Sequence, residues 1–263
     1  MNTTLFPVIF VGHGSPMNAI EHNEFSNKWA ELGKQLPTPD AILCISAHWM
    51  LPSTNVTLSR HPQTIHDFGG FPKELSEIQY PAPGDPDLVQ EVVDLIHSKD
   101  VFPDLQWGLD HGCWSVLKHL YPNANIPVIQ FSLDETLSSS EHFELAKELA
   151  PLREKKILIL CSGNIVHNLR TLDWDKRDEP EFGFDWALTV NNTVKELINA
   201  GNFDMLCHYE KLGKELVRMA IPTPDHYWPM LYALALKKEN EKVTYFNDKL
   251  VMGALSMTSF IIQ

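Results

Sequence analysis

Four short stretches carry apolar residues without the polar alternation of a half-exposed strand: Pro7–Val11, Ala41–Ser46, Ile126–Phe131 and Lys156–Cys161. Runs of this kind, closed by glycine or polar residues, predict strands buried on both faces. Around them apolar positions recur at helical spacing. They predict helices over about Asn23–Gln35, Asp87–Ser98, Trp114–Tyr121 and Glu141–Arg153. Past the fourth run the pattern predicts helices near Asp185–Ala200, Tyr209–Ala220 and His226–Lys237. Strands at Lys242–Phe246 and Val251–Met257, near a sheet edge, follow. Strands alternating with helices imply an α/β fold with a mostly parallel central sheet flanked by helices. No linker or internal repeat divides the 263 residues, so one domain is expected across residues 1–263.

Ligands of open α/β sheets bind beyond the carboxyl ends of the strands. His13 follows the first run by two residues, flanked by Gly12 and Gly14. His48 follows the second run by two residues, and His167 follows the fourth. Strand patterning alone therefore places three histidines on one sheet edge. A fourth, His226, stands where Pro229 predicts the first turn of a helix. The positive end of the helix dipole disfavours an imidazolium there and favours the neutral, metal-binding form. Each histidine alone has an ordinary explanation as a turn or core residue. Together they point to one mononuclear metal site. Imidazole suits iron, zinc, copper and nickel, and three such ligands leave coordination positions open for chemistry. Spacing leaves His167 either as a fourth ligand or as an acid/base, since an imidazole titrates near neutrality.

Two further segments bear on that site. Asp110-His111-Gly112-Cys113-Trp114 reads either as an aspartate helix cap with a solvent-facing histidine or as a pocket histidine. The aromatic and glycine-rich stretch Thr64–Pro72, followed by Tyr80–Gly84, predicts a long ordered binding loop. His22, His61, His97, His119, His142 and His208 lack such settings and are read as structural or exposed.

Charge and composition mainly exclude. A formal net charge of −13 argues against nucleic acid and anionic membrane surfaces as partners. Cys44, Cys113, Cys161 and Cys207 form no C-x-x-C pair, which argues against a thiolate zinc knuckle. The stretch Met1–Phe10 lacks the basic and apolar regions of a secretory leader, and no apolar run is long enough to span a bilayer. A reducing cytoplasm is the expected location. No phosphate loop, dinucleotide fingerprint or nucleophile elbow is present, and Ser15 has no motif that would make it a nucleophile.

Taken together, the motifs Gly12–Met17 (GHGSPM), Ser46–Trp49 (SAHW), Thr64–Pro72 (TIHDFGGFP), Tyr80–Gly84 (YPAPG) and Asp110–Trp114 (DHGCW) resemble a known family. Ser162–Arg170 (SGNIVHNLR) and Pro222–Tyr232 (PTPDHYWPMLY) extend the likeness over most of the chain. It is similar to the class III extradiol ring-cleaving dioxygenases of the LigB superfamily, within them the 4,5-DOPA dioxygenase extradiol group. The resemblance implies a LigB-like fold and a metal held by His13, His48 and His226. His167 would be a further ligand or the acid/base, and His111 would line the pocket. It implies a small catechol substrate such as L-DOPA, opened between carbons 4 and 5 by O2 to a semialdehyde. It also implies one divalent ion, Zn2+ as found and Fe2+ for ring cleavage. Relatives in the wider superfamily use two histidines and a glutamate. Here His226 stands at the third position, which leaves more positive charge on the ion and makes zinc a credible occupant. Zinc has no redox change to offer, so a zinc-dependent hydrolase is a competing reading, and a non-catalytic metal-binding protein on the same fold is another.

Overall fold

A computed structural model describes residues 5–263. Met1–Thr4, the start of the stretch read above for a leader, lie outside the described residues. The strands are β1 (Val8–Gly12), β2 (Ala41–Leu51), β3 (Thr54–Thr57), β4 (Val101–Asp104), β5 (Val128–Asp134) and β6 (Ile157–Gly163). β7 (Val243–Phe246), β8 (Leu250–Val251), β9 (Leu255–Ser256) and β10 (Ser259–Ile262) complete them. The helices are α1 (Glu24–Gln35), α2 (Lys73–Ser76), α3 (Pro86–Leu95), α4 (His111–Leu120) and α5 (Ser139–Lys147). They continue with α6 (Asp185–Ala200), α7 (Phe203–Cys207), α8 (Lys214–Ala220) and α9 (Trp228–Ala235).

The main sheet has eight strands in the order β4-β3-β5-β2-β6-β1-β10-β7. Its centre, β5-β2-β6-β1, is parallel, and β10 and β7 extend it antiparallel. The four apolar runs are these central strands. Their side chains alternate between two covered faces, so no polar alternation is needed. Val8 and Phe10 of β1 join one core with Val92 of α3, Phe143 of α5, Val194 of α6 and Leu231 of α9. Ile9 and Val11 join the other, under Trp29 of α1 and Trp114 and Leu117 of α4. The expected α/β architecture is therefore present.

The differences from the pattern are local. β2 does not end at Ser46. It runs on through His48 to Leu51, and its register with β5 shifts between Ile45 and Met50. The helix expected from Glu141 to Arg153 stops at Lys147, and a 3-10 turn takes over at Ala150–Lys155. The helix expected over Tyr209–Ala220 divides at Gly213, whose φ of 126° no helix accommodates. The strand expected at Val251–Met257 is a small hairpin, β8 with β9, turning at Met252 and Gly253, both at positive φ. The strand that joins the main sheet is β10, which pairs antiparallel with β1. The short β3 and β4 escaped the pattern because four-residue strands carry too few positions to show a period. No helix among the described residues is long and apolar enough to cross a membrane.

Candidate metal centre

β1 and β6 pair until Gly12 lies opposite Gly163. Neither position has room for a side chain. A Cβ on Gly12 would lie 2.7 Å from the backbone carbon of Met257, and one on Gly163 would lie 2.2 Å from the carbonyl oxygen of His226. Two remote segments therefore press directly onto the strand ends. The Asn164 amide donates to the His226 carbonyl at 2.8 Å, and the His13 amide donates to the Gly163 carbonyl at 3.2 Å. These contacts set His226 beside His13. His48 arrives from β2, where the register shift breaks the regular pairing with β5.

The result is a tight cluster of three rings. His13 and His48 approach Nε2 to Nε2 at 3.0 Å. One nitrogen from each of His13, His48 and His226 lies within 4.8 Å of the others. His13 is 1% exposed and His226 5%.

The hydrogen bonds specify which nitrogens are free. The Ser162 hydroxyl has one hydrogen and donates it to the Gly112 carbonyl at 2.6 Å. It can then only accept from His13 Nδ1, 3.0 Å away, which leaves His13 Nε2 as a bare lone pair. Asp225 accepts from His226 Nδ1 at 2.5 Å, and the opposite nitrogen, His226 Nε2, is buried with no partner. A buried nitrogen left unpartnered costs free energy unless something binds it. These are the protonation states of imidazole ligands oriented by a carboxylate and a hydroxyl behind them. Burial holds His13 well below its ordinary pKa, with His48, His226, His111 and His167 adding to the effect. Burial, with His111, His226 and His167, does the same to His48. Burial pushes Asp225 upward, but the hydrogen bond and charge of His226 outweigh it and hold the carboxyl at about 2. Burial thus keeps His13 and His48 neutral, His13 and His226 turn bare nitrogens inward, and the cluster fits a divalent cation.

His167 is brought to the same place in a different relation. Its ring stacks on His226 at 3.5 Å between centroids and 6° between planes. Among the described residues it joins no group of three or more potential ligands. Burial, then His226, pushes its pKa down to about 2, against the opposing pull of Asp225.

His111 opens α4. The expected cap is there, since Asp110 accepts from the Cys113 amide at 3.1 Å. The solvent-facing half of that expectation fails: His111 is 5% exposed, with its ring 3.9 Å from that of His48. Asp67 holds it from the Thr64–Pro72 loop, accepting from His111 Nδ1 and from the His111 amide, each at 2.9 Å. The same loop sets Phe68 edge-on to His111 at 5.6 Å and against Phe71 at 5.5 Å.

Pattern reading named the rings but missed the groups that orient them, Asp67, Ser162 and Asp225. Only Asp225 adjoins the histidine it orients, and that adjacency is the available signal; Asp67 adjoins His66 but holds His111. Ser162 had none. Of the histidines set aside as structural, His142 is buried against Tyr232 Oη at 2.9 Å, and His119 is bonded to the Asn18 carbonyl at 2.7 Å.

Fold and cluster together define an α/β protein whose histidines gather at the carboxyl edge of a parallel sheet in a form suited to a metal ion. The chain belongs to the LigB family: residues 7–258 match the catalytic LigB subunit of aromatic ring-opening dioxygenase. It is 43% identical over 261 residues to the 4,5-DOPA dioxygenase extradiol of Escherichia coli (strain K12), covering 98% of this chain and 95% of that one. It is 33% identical over 258 residues to the protein of the same name from Beta vulgaris, covering 95% and 94%. The crystal structure of an uncharacterized protein from Escherichia coli K12 matches with a TM-score of 0.84 and 38% identity, over 98% of this chain and 100% of that one.

Proposed function

We propose that this protein is an extradiol dioxygenase that opens a catechol, with L-DOPA as the model substrate, between carbons 4 and 5. The observation that carries the reading is the buried His13, His48 and His226 cluster, with its unpartnered inward nitrogen, on a LigB chain. The names of the bacterial and plant relatives direct the substrate class. The whole span 1–263 acts as one catalytic domain in a reducing cytoplasm, a reading supported by four cysteines that are free and buried.

His13, His48 and His226 would hold one divalent ion. Ferrous iron, when bound, supplies the electron exchange between catecholate and O2 that zinc lacks. His48 can pass its remaining proton to Nδ1, which faces Asp67 Oδ2 at 3.4 Å, and so free Nε2. His167, neutral and stacked outside the three-nitrogen group, serves as the base that takes a catechol proton and later returns it, the negative charge of bound catecholate offsetting the burial that keeps the free ring neutral. With its Nδ1 held by Asp67, His111 keeps Nε2 for substrate, and Phe68 with Phe71 offers an aromatic wall for a flat ring.

The test is anaerobic loading with Fe(II), followed by L-DOPA and oxygen. Oxygen uptake with a coloured ring-fission product is expected. Turnover by the zinc form without oxygen would replace this reading with metal-assisted hydrolysis. His167→Ala should keep its metal and lose turnover. Loss of metal in that variant would make His167 a fourth ligand instead.

A further inference from the structure

The binding loop reaches the cluster through one carboxylate. Asp67 Oδ1 accepts the His111 amide at the start of α4, and Oδ2 accepts His111 Nδ1. The Oδ2 atom also faces His48 Nδ1 at 3.4 Å. Beside this latch, Trp114 Nε1 donates to the Ile65 carbonyl at 2.8 Å, so the neighbouring backbone is anchored independently. Beyond it, Gly69 and Gly70 have open space around them. An ionised carboxylate can only accept. It therefore dictates where the proton of His111 sits: on Nδ1, with Nε2 left as an acceptor.

From this geometry we infer that Asp67 is a positioning residue that locks His111 in the Nδ1–H tautomer and aims a bare Nε2 at the substrate pocket. The inference deepens the dioxygenase reading and rests on it for the identity of the substrate. An acceptor at this place takes a hydrogen bond from a catechol hydroxyl. A donor there would instead give its proton to a catechol oxygen and leave the hydroxyl hydrogen without this acceptor. An amide in place of Asp67 would turn an NH2 toward His111 Nδ1 and favour the opposite tautomer, while keeping size and shape.

The test has a spectroscopic arm that needs neither metal nor turnover. Long-range 1H–15N spectra of metal-free protein with 15N-labelled histidine, assigned with His111→Gln, should show a protonated Nδ1 and a bare Nε2 at His111. Asp67→Asn should reverse that pattern. A wild-type His111 with a bare Nδ1, or an unchanged tautomer in Asp67→Asn, overturns the inference whether or not the protein cleaves L-DOPA. In iron-loaded protein Asp67→Asn should lower kcat for L-DOPA about ten- to a hundredfold with KM and iron content unchanged, and Asp67→Glu should recover part of the loss. A loss of activity that only tracks lost iron or a lowered Tm would assign Asp67 a purely structural role and overturn the inference. If the iron-loaded wild type leaves L-DOPA intact while the tautomer reverses as expected, the substrate reading fails and the lock on His111 stands.

Discussion

At the residue scale the centre depends on where protons sit. His226 can offer Nε2 inward only because Asp225 holds the proton on Nδ1. A partner behind a metal-binding imidazole fixes both its ring orientation and its basicity. Asp225→Asn should therefore lower zinc affinity about ten- to a hundredfold, read by competition with a chromogenic chelator. Its urea midpoint should move little, because an amide of equal size still bonds the ring. An unchanged affinity would mean that Asp225 does not set the state of His226. The glycines matter at this scale through what they lack. Gly12 and Gly163 leave space that the backbones of Met257 and His226 fill, and a methyl group at Gly163 would push the His226 segment off the end of β6.

At the element scale, α9 links the cluster to the core. It begins two residues after His226, and its Trp228 and Tyr232 clasp His142 of α5. His142 Nδ1 bonds Tyr232 Oη, and its Nε2 is buried without a partner. Burial lowers the His142 pKa from 6.5 to about 4, although Asp134 pulls the other way. The unfolded chain thus binds a proton near pH 6.5 that the folded chain refuses until about pH 4. Acid then favours the unfolded state. The stabilisation from neutral His142 is complete above pH 6.5 and fades as pH falls toward 4, by roughly 3 kcal/mol at most. In urea titrations the stability advantage of the wild type over His142→Gln should shrink across that window. A pH-independent difference would show that His142 does not titrate this way.

At the scale of the whole molecule, one buried ion pair joins distant parts of the chain. Arg153 donates to the Phe6 carbonyl at 2.8 Å, just before β1, and to the Leu236 carbonyl at 2.7 Å, just after α9. Its remaining donors meet both oxygens of Glu241, just before β7. The Arg153 side chain is 0% exposed. Removing its partner would strand a buried charge. Glu241→Ala should cost about 3–5 kcal/mol in urea unfolding, and Glu241→Gln less. A cost under about 1 kcal/mol would place the pair with ordinary surface bridges. A chain of net charge −13 can still hold neutral imidazoles at this edge. Burial and mutual repulsion keep His13 and His48 neutral whatever the average charge outside.

The sequence by itself determined the layered sheet and the edge on which chemistry gathers. Unbroken apolar runs cannot face water, and a histidine just past such a run has to lie at a strand end. His13 and His167 were legible on that ground. His48 was legible as a site residue though not as part of a strand, because a register shift has no hydrophobic period. His226 came from family likeness and from a helix start that lies two residues later in the fold. The tertiary structure alone decided which histidines meet. It set His226 against His13 across a glycine, stacked His167 outside the three-nitrogen group, and turned His111 inward under Asp67. These are contacts between residues far apart in sequence. They depend on backbone approach and on the direction of single hydrogen bonds, and neither leaves a periodic trace along the chain.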